Sequence, residues 1–236
     1  MDASTALAAL EAAGTEPTRR TFHRHGAPEP LFGVSFATLR ELGKRAGVDH
    51  ALAGALWASG NTDARCLAML VADPARLDVA TADAWAAGTR YHVIVDLVAE
   101  LVARSPLAPA RMAAWIGSSD EYVARCGWAV LTRLALHEDG AADATFTPYL
   151  ETIERTILGA PNRAREAMNS ALVAIGGRSD RLAATAIAAA RRIGPVSIEH
   201  GDTACKTVDA VPYIEKLRAR AGKKRPASKK PRRASR

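Results

Sequence analysis

From residue 35 to about residue 192, apolar side chains recur every three or four positions and almost never alternate as a strand requires. Ser35 precedes a stripe of Phe36, Leu39 and Leu42 that ends near Gly47. Segments near 49–59 and 62–72 follow, broken by Ser59-Gly60-Asn61-Thr62 and by Asp73-Pro74. Further helices are expected at about 81–88, 90–104, 108–116, 119–138, 145–158, 162–175 and 179–192. Thr62, Thr81, Ser119 and Ser179 read as their caps, with Gly or Pro at their ends. Alanine dominates the apolar share and aromatics reach only 5%, which favours closely packed helices over a sandwich or barrel. The fold class is all-α.

The same composition excludes other classes. No run of about 20 apolar residues is present, so no membrane-spanning helix and no membrane partner are expected. Met1 to Leu10 lacks the positive charge that opens a secretory signal. Cys66, Cys126 and Cys205 lie far apart, which argues against a disulfide framework or a cysteine-rich zinc site. A reduced, cytoplasmic setting follows.

The formal charge of +7 is unevenly placed. Ten basic residues and no acid follow Leu217, so removing that segment turns +7 into −3 for residues 1–217. The division is therefore a helical domain, 1–217, and a disordered Lys/Arg-rich tail, 218–236. Such a polycation, with Lys223, Lys224 and Arg225 among its charges, neutralises phosphates without reading sequence. About eight phosphate contacts would give a log–log salt slope of roughly −7. A solubilising terminus and an anchor to anionic membrane are the alternatives.

A faint repeat runs through the body. Ala64-Arg65-Cys66-Leu67-Ala68, Ala124-Arg125-Cys126-Gly127-Trp128 and Ala164-Arg165-Glu166-Ala167-Met168 each open a helix. Their spacing suits helix pairs of about 30–40 residues stacked as a HEAT-like solenoid. An Arg in each first turn either forms a ladder along one wall or braces the neighbouring repeat.

Two helices carry candidate chemistry. In Arg90–Arg104, a core stripe of Val93, Ile94, Leu97, Val98, Leu101 and Val102 is bordered by a second face. That face holds His92 and Asp96, one turn apart, beside Ala99 and Ala103. Asp96 either serves a cleft or pairs with an Arg of the next helix. In Ser119–Glu138, Arg125, Trp128 and Thr132 lie opposite the core face. A guanidinium beside an indole can hold a phosphate while the ring stacks on sugar or base, and Trp128 can equally pack between repeats. His200, Asp202 and Cys205 are too few for a metal site and read as a structured loop. No Gly-x-Ser-x-Gly elbow or phosphate-cradling loop is present, and no cofactor is expected.

Phe32-Gly33-Val34-Ser35-Phe36-Ala37-Thr38-Leu39-Arg40 resembles the aromatic-Gly-Val segment of bacterial DNA alkylation repair proteins built of HEAT-like repeats, the AlkD type. Asp63 to Ala68, Tyr91 to Asp96, Tyr122 to Trp128 and the stretch Gly194 to Thr207 are similar to a divergent branch of that family. The resemblance covers roughly residues 5–217 and implies a C-shaped solenoid that grips duplex DNA on its concave face. No amphipathic seam is left over for an obvious dimer, so a monomer is expected, cytoplasmic and associated with the nucleoid. The resemblance further implies hydrolysis of the N-glycosidic bond of N3- or N7-alkylpurines, with Asp96 stabilising an oxocarbenium-like sugar. Arg125 falls at the family's DNA-backbone arginine, with Tyr91, His92, Trp128, Arg65 and Arg165 as further DNA contacts. Two departures bear on catalysis. His92, and less directly Ser170, stand where the family's enzymes place tryptophans against the sugar, and His92 substitutes for a ring only while neutral. A non-catalytic reader of damaged or branched DNA, and a protein–protein scaffold, are the competing functions.

Overall fold

The computed structural model describes residues 1–137 and 141–224, the side chains of 222–224 excepted. In chain order the α-helices are α1 (Ala3–Ala13), α2 (Glu16–Arg24), α3 (Phe36–Ala46), α4 (His50–Ala58), α5 (Thr62–Val71), α6 (Val79–Ala87) and α7 (His92–Ala103). They continue as α8 (Ala108–Ile116), α9 (Glu121–His137), α10 (Asp143–Thr156), α11 (Asn162–Arg178), α12 (Asp180–Ile193) and α13 (Ala210–Lys224). No strand occurs among the described residues. The all-α expectation holds.

The helices form two layers. From α3 to α13 the odd-numbered members pack each on the next in an unbroken row. Among the even-numbered ones, only α10 and α12 pack closely on each other. A stack tight on one side and open on the other bends toward the tight side, so the odd row lies on the inside of the curve. Between the layers runs one apolar core that includes Leu39, Leu67, Ile94, Leu131, Phe146, Ile153 and Leu172.

Helix starts follow the side-chain acceptors that satisfy first-turn amides. Ser179 accepts from Leu182 N at 3.1 Å, as expected. Elsewhere the capping side chain is not the expected one, lying before Thr62 and Thr81 but one residue after Ser119. Asn61 accepts from Ala64 N (3.0 Å), Asp78 from Thr81 N (2.7 Å), and Asp120 from Tyr122 N (2.9 Å) and Val123 N (3.1 Å). Each is a short carbonyl or carboxylate side chain, a cap as good as Ser or Thr.

Three helices carry no strong sequence signal. α1 is mostly alanine, and α2 has a single large apolar side chain, Phe22, so neither shows a periodic stripe. α13 runs across the boundary expected at Leu217, because Ala210 and Ile214 are buried one turn apart and Leu217 packs on the same core. Arg218 belongs to the body. It donates to Asp180 Oδ1 at 2.6 Å and to the carbonyls of Gly177 and Arg178 at 3.1 Å. Lys223 and Lys224 end α13 with side chains outside the described residues, and Arg225 and the rest of the tail lie outside them altogether.

Two buried features fix the stacking. Asp63, fully buried at the start of α5, accepts from the amides of Phe32 (2.7 Å), Gly33 (3.0 Å) and Val34 (2.9 Å). One carboxylate thus pins the segment before α3, whose Gly33 has φ +85°, a conformation glycine adopts without strain. At the α8–α9 crossing, a Cβ on Gly127 would lie 2.5 Å from Ile116 N and 2.8 Å from Trp115 C. Gly127→Ala must therefore push α8 off α9. A stability loss of about 1–3 kcal/mol is expected, read as a lower urea midpoint with an unchanged helical circular dichroism spectrum.

Candidate nucleic-acid interface

Along the inner row, the amino-terminal turns of α7, α9 and α11 bring Asp96, Arg125 and Glu166 together. Arg125 donates from Nε to Asp96 Oδ1 (3.1 Å) and from Nη2 to Asp96 Oδ2 (2.8 Å), a two-pronged pair. From Nη1 it donates to Glu166 Oε2 (2.6 Å) and to the carbonyl of Arg163 (3.2 Å). Arg163 Nη1 shares the same Glu166 oxygen at 3.1 Å. His200 Nδ1 stands 3.9 Å from Glu166 Oε1. The guanidinium is buried, whereas the Asp96 and Glu166 side chains are 36% and 25% exposed, so the carboxylates form the rim. Burial disfavours the Arg125 charge, and Asp96 and Glu166 more than restore it. Burial alone would raise Glu166, yet Arg125 and Arg163 hold it below the ordinary carboxylate range.

A strap without helix, residues 194–209, crosses this end of the row. Asn162 and Glu199 exchange two hydrogen bonds, Nδ2 to O at 2.9 Å and N to Oδ1 at 2.8 Å. Arg165 Nη1 donates to Ser197 O (3.1 Å), and Asn169 Nδ2 to Val208 O (2.9 Å). The far side of the strap faces the end of α2. Arg24, His25 and residues 202–205 line a shallow cleft there.

His92 lies partly buried, edge-on to Tyr91 and with its ring 6.4 Å from that of His25. Burial, then the Arg125 and Arg163 charges, depress its pKa to about 4, against the opposing pull of Asp96 and Glu166. It is therefore neutral at physiological pH.

Several expected DNA contacts are corrected by their placement. Tyr91 is the residue before α7 and only 2% exposed, so its ring cannot reach a ligand. Trp128 is 3% exposed and packs edge-on against Tyr149, which makes it inter-helix packing. The arginine ladder is instead a set of braces. Arg65 lies over the Trp57 ring at 4.7 Å and donates to the carbonyls of Trp57 (3.3 Å) and Gly88 (3.1 Å). Arg165 donates to the carbonyls of Ala160 (2.7 Å) and Ser197. Cations at helix ends suit the partial negative charge of the last carbonyls. Arg125, 5% exposed, spends four hydrogen bonds on the protein itself, so Asp96 takes its ion-pair alternative. Ser170 is exposed and donates to Glu166 O (3.1 Å).

Sequence reasoning missed Glu166 and Arg163, and placed His200 only in a structured loop. A signal for Glu166 existed. It stands where the other two motif copies carry the buried Cys66 and Cys126, and a carboxylate in that register needs a cation. Among the described residues no group of three or more His, Cys, Asp or Glu is placed to hold a metal ion. His200 Nε2 lies 3.2 Å from Thr207 Oγ1, and its carbonyl accepts from Thr203 Oγ1 (2.9 Å).

The profile of the DNA alkylation repair enzymes matches residues 6–208. An uncharacterised protein of Listeria monocytogenes is 28% identical over 217 residues, covering 89% of this chain and 95% of its own length. A counterpart in Listeria innocua matches equally. A solved structure aligns with a TM-score of 0.86 at 28% identity, over 94% of this chain and 95% of the other. That protein is from a family related to the HEAT-like repeat DNA glycosylases with affinity for branched DNA structures.

The depressed His92 pKa has a signed consequence. Between pH 6.5 and about 4 the unfolded chain binds a proton at His92 that the native state refuses. The residue's contribution is complete above pH 6.5 and is lost as pH falls toward 4. An imidazole NMR titration is expected to place the midpoint near 4, and His92→Gln to flatten the decline in urea stability between pH 6.5 and 4.5 relative to wild type.

Proposed function

The chain belongs to the DNA alkylation repair enzyme family, and from that premise we propose that it binds DNA, branched DNA in preference to plain duplex, at the helix-end row of Asp96, Arg125 and Glu166. The observation that carries this reading is the engagement of both Asp96 oxygens by the buried Arg125 guanidinium. A carboxylate neutralised in this way projects little field onto a sugar cation. The ring surfaces that would share that task are absent from the rim, because Tyr91 and Trp128 are buried. Likeness to a protein from a family with affinity for branched DNA favours recognition over hydrolysis.

A second reading, an alkylpurine DNA glycosylase, draws on one observation. Asp96 remains 36% exposed, one turn from a neutral His92. In either case the partner is DNA, without a cofactor. The setting is the cytoplasm and nucleoid, and the acting unit is a monomer. The basic carboxy-terminal segment adds salt-sensitive affinity through Lys223, Lys224 and Arg225. No helix among the described residues is long and apolar enough to cross a membrane.

One paired experiment separates the readings. Binding of the full chain to a four-way junction and to a duplex of equal length is compared, beside single-turnover base release from duplex carrying N7-methylguanine. The binding reading predicts junction affinity about tenfold or more above duplex, a gap of about 1.4 kcal/mol, and base release at the spontaneous rate. Release by wild type that disappears in Asp96→Asn would instead establish the glycosylase.

A further inference from the structure

Glu166 is the least expected member of the row. Asp96 already takes two Arg125 donors and the Arg163 carbonyl accepts from the third nitrogen, so Glu166 supplements a brace that is already in place. Arg163, with a side chain 19% exposed, is partly open to water. Yet the two guanidiniums converge on one oxygen, Glu166 Oε2, at 2.6 and 3.1 Å. Among the described residues, the other oxygen faces His200 at 3.9 Å, beyond hydrogen-bond reach. An anion shared between two forks at a partly exposed rim is the arrangement in which arginines hold a phosphate oxygen.

The local charges close on themselves. Arg125 and Arg163 face Asp96 and Glu166, while Glu121 Oε1 accepts from the Arg163 amide at 2.5 Å. With Glu166 in place, the rim has no net attraction for a polyanion. With Glu166 withdrawn, Arg125 Nη1 and Arg163 Nη1 point at one vacated position.

We propose that this position is a phosphodiester site whose resident anion is Glu166, and that DNA binds there by displacing the carboxylate from Arg163 and Arg125. The proposal rests on the DNA-binding reading above. It makes Glu166 a selectivity residue. A backbone phosphate must be presented well enough to replace a preformed ion pair, so isolated phosphates and poorly fitting duplex compete badly.

The test is fluorescence anisotropy of a labelled four-way junction with the full chain, as wild type, Glu166→Gln and Glu154→Gln. Glu154 pairs with Arg192 on the outer layer, so its variant reports the general effect of losing one acid. Glu166→Gln is expected to tighten binding about fivefold, and to steepen the log–log salt slope by about 0.9, the increment of one added phosphate contact. Glu154→Gln is expected to change affinity by less than about twofold. Equal effects of the two variants, or weaker binding by a folded Glu166→Gln protein, would overturn the proposal. If Glu166→Gln does not fold, carbon-13 labelling of wild-type glutamate decides. Movement of the Glu166 carboxyl resonance on junction addition supports displacement, and an unmoved resonance refutes it. Loss of DNA binding by every protein, wild type included, removes the functional reading along with the proposal, whereas binding without a Glu166 effect removes the proposal alone.

Discussion

The buried guanidinium of Arg125 is the constraint on which the candidate site depends. It reaches from α9 to a carboxylate on α7 and to a carboxylate and a carbonyl on α11, so one side chain ties three consecutive helices of the inner row. Such a group tolerates burial only if its donors and charge are answered locally, and Asp96 and Glu166 answer them. Their partial exposure is a by-product of that geometry. The charge that must be buried sits behind, and the two that neutralise it form the rim.

That arrangement shapes what the row can do. A catalytic carboxylate for glycosidic cleavage gains its power from an unshared charge beside the developing cation, and Asp96 shares its charge with Arg125. Recognition asks for less. On the proposed reading, a rim whose ion pairs are already formed, under a strap fastened to α11 at Asn162, Arg165 and Asn169, would take phosphates by exchange. A neutral His92 keeps the adjoining surface free of a further positive charge. The helix-pair architecture supplies the register that makes these contacts possible, because α7, α9 and α11 start at the same end of the row.

Much of the fold was legible because helical periodicity survives wherever a helix has one apolar face, as in Arg90–Arg104. It failed at α2, whose one large apolar side chain is Phe22, and at α13, where basic residues continue a helix anchored by Ile214 and Leu217. The positions of Asp96 and Arg125 were also legible, but their mutual pairing was only one alternative, since an ion pair between helices leaves no mark in either helix's spacing. Burial of Tyr91 was hidden, and that of Trp128 was one of two alternatives, for a related reason. An aromatic on the border of a core stripe turns inward or outward according to its neighbours across the layer. Arg65 and Arg165 kept the register the repeat implied. Their partners are backbone carbonyls, which carry no sequence signature.

The character of the site turns on whether Arg125 is locked in the core by Asp96. The side-chain Nε–H of Arg125 reports this directly in a nitrogen-15 correlation spectrum of the full chain at neutral pH. A resolved resonance, protected from exchange with water and displaced in Asp96→Asn, is the predicted result. A resonance exchanging as fast as those of exposed arginines, and indifferent to Asp96→Asn, would contradict the pairing and return Asp96 to the list of free carboxylates.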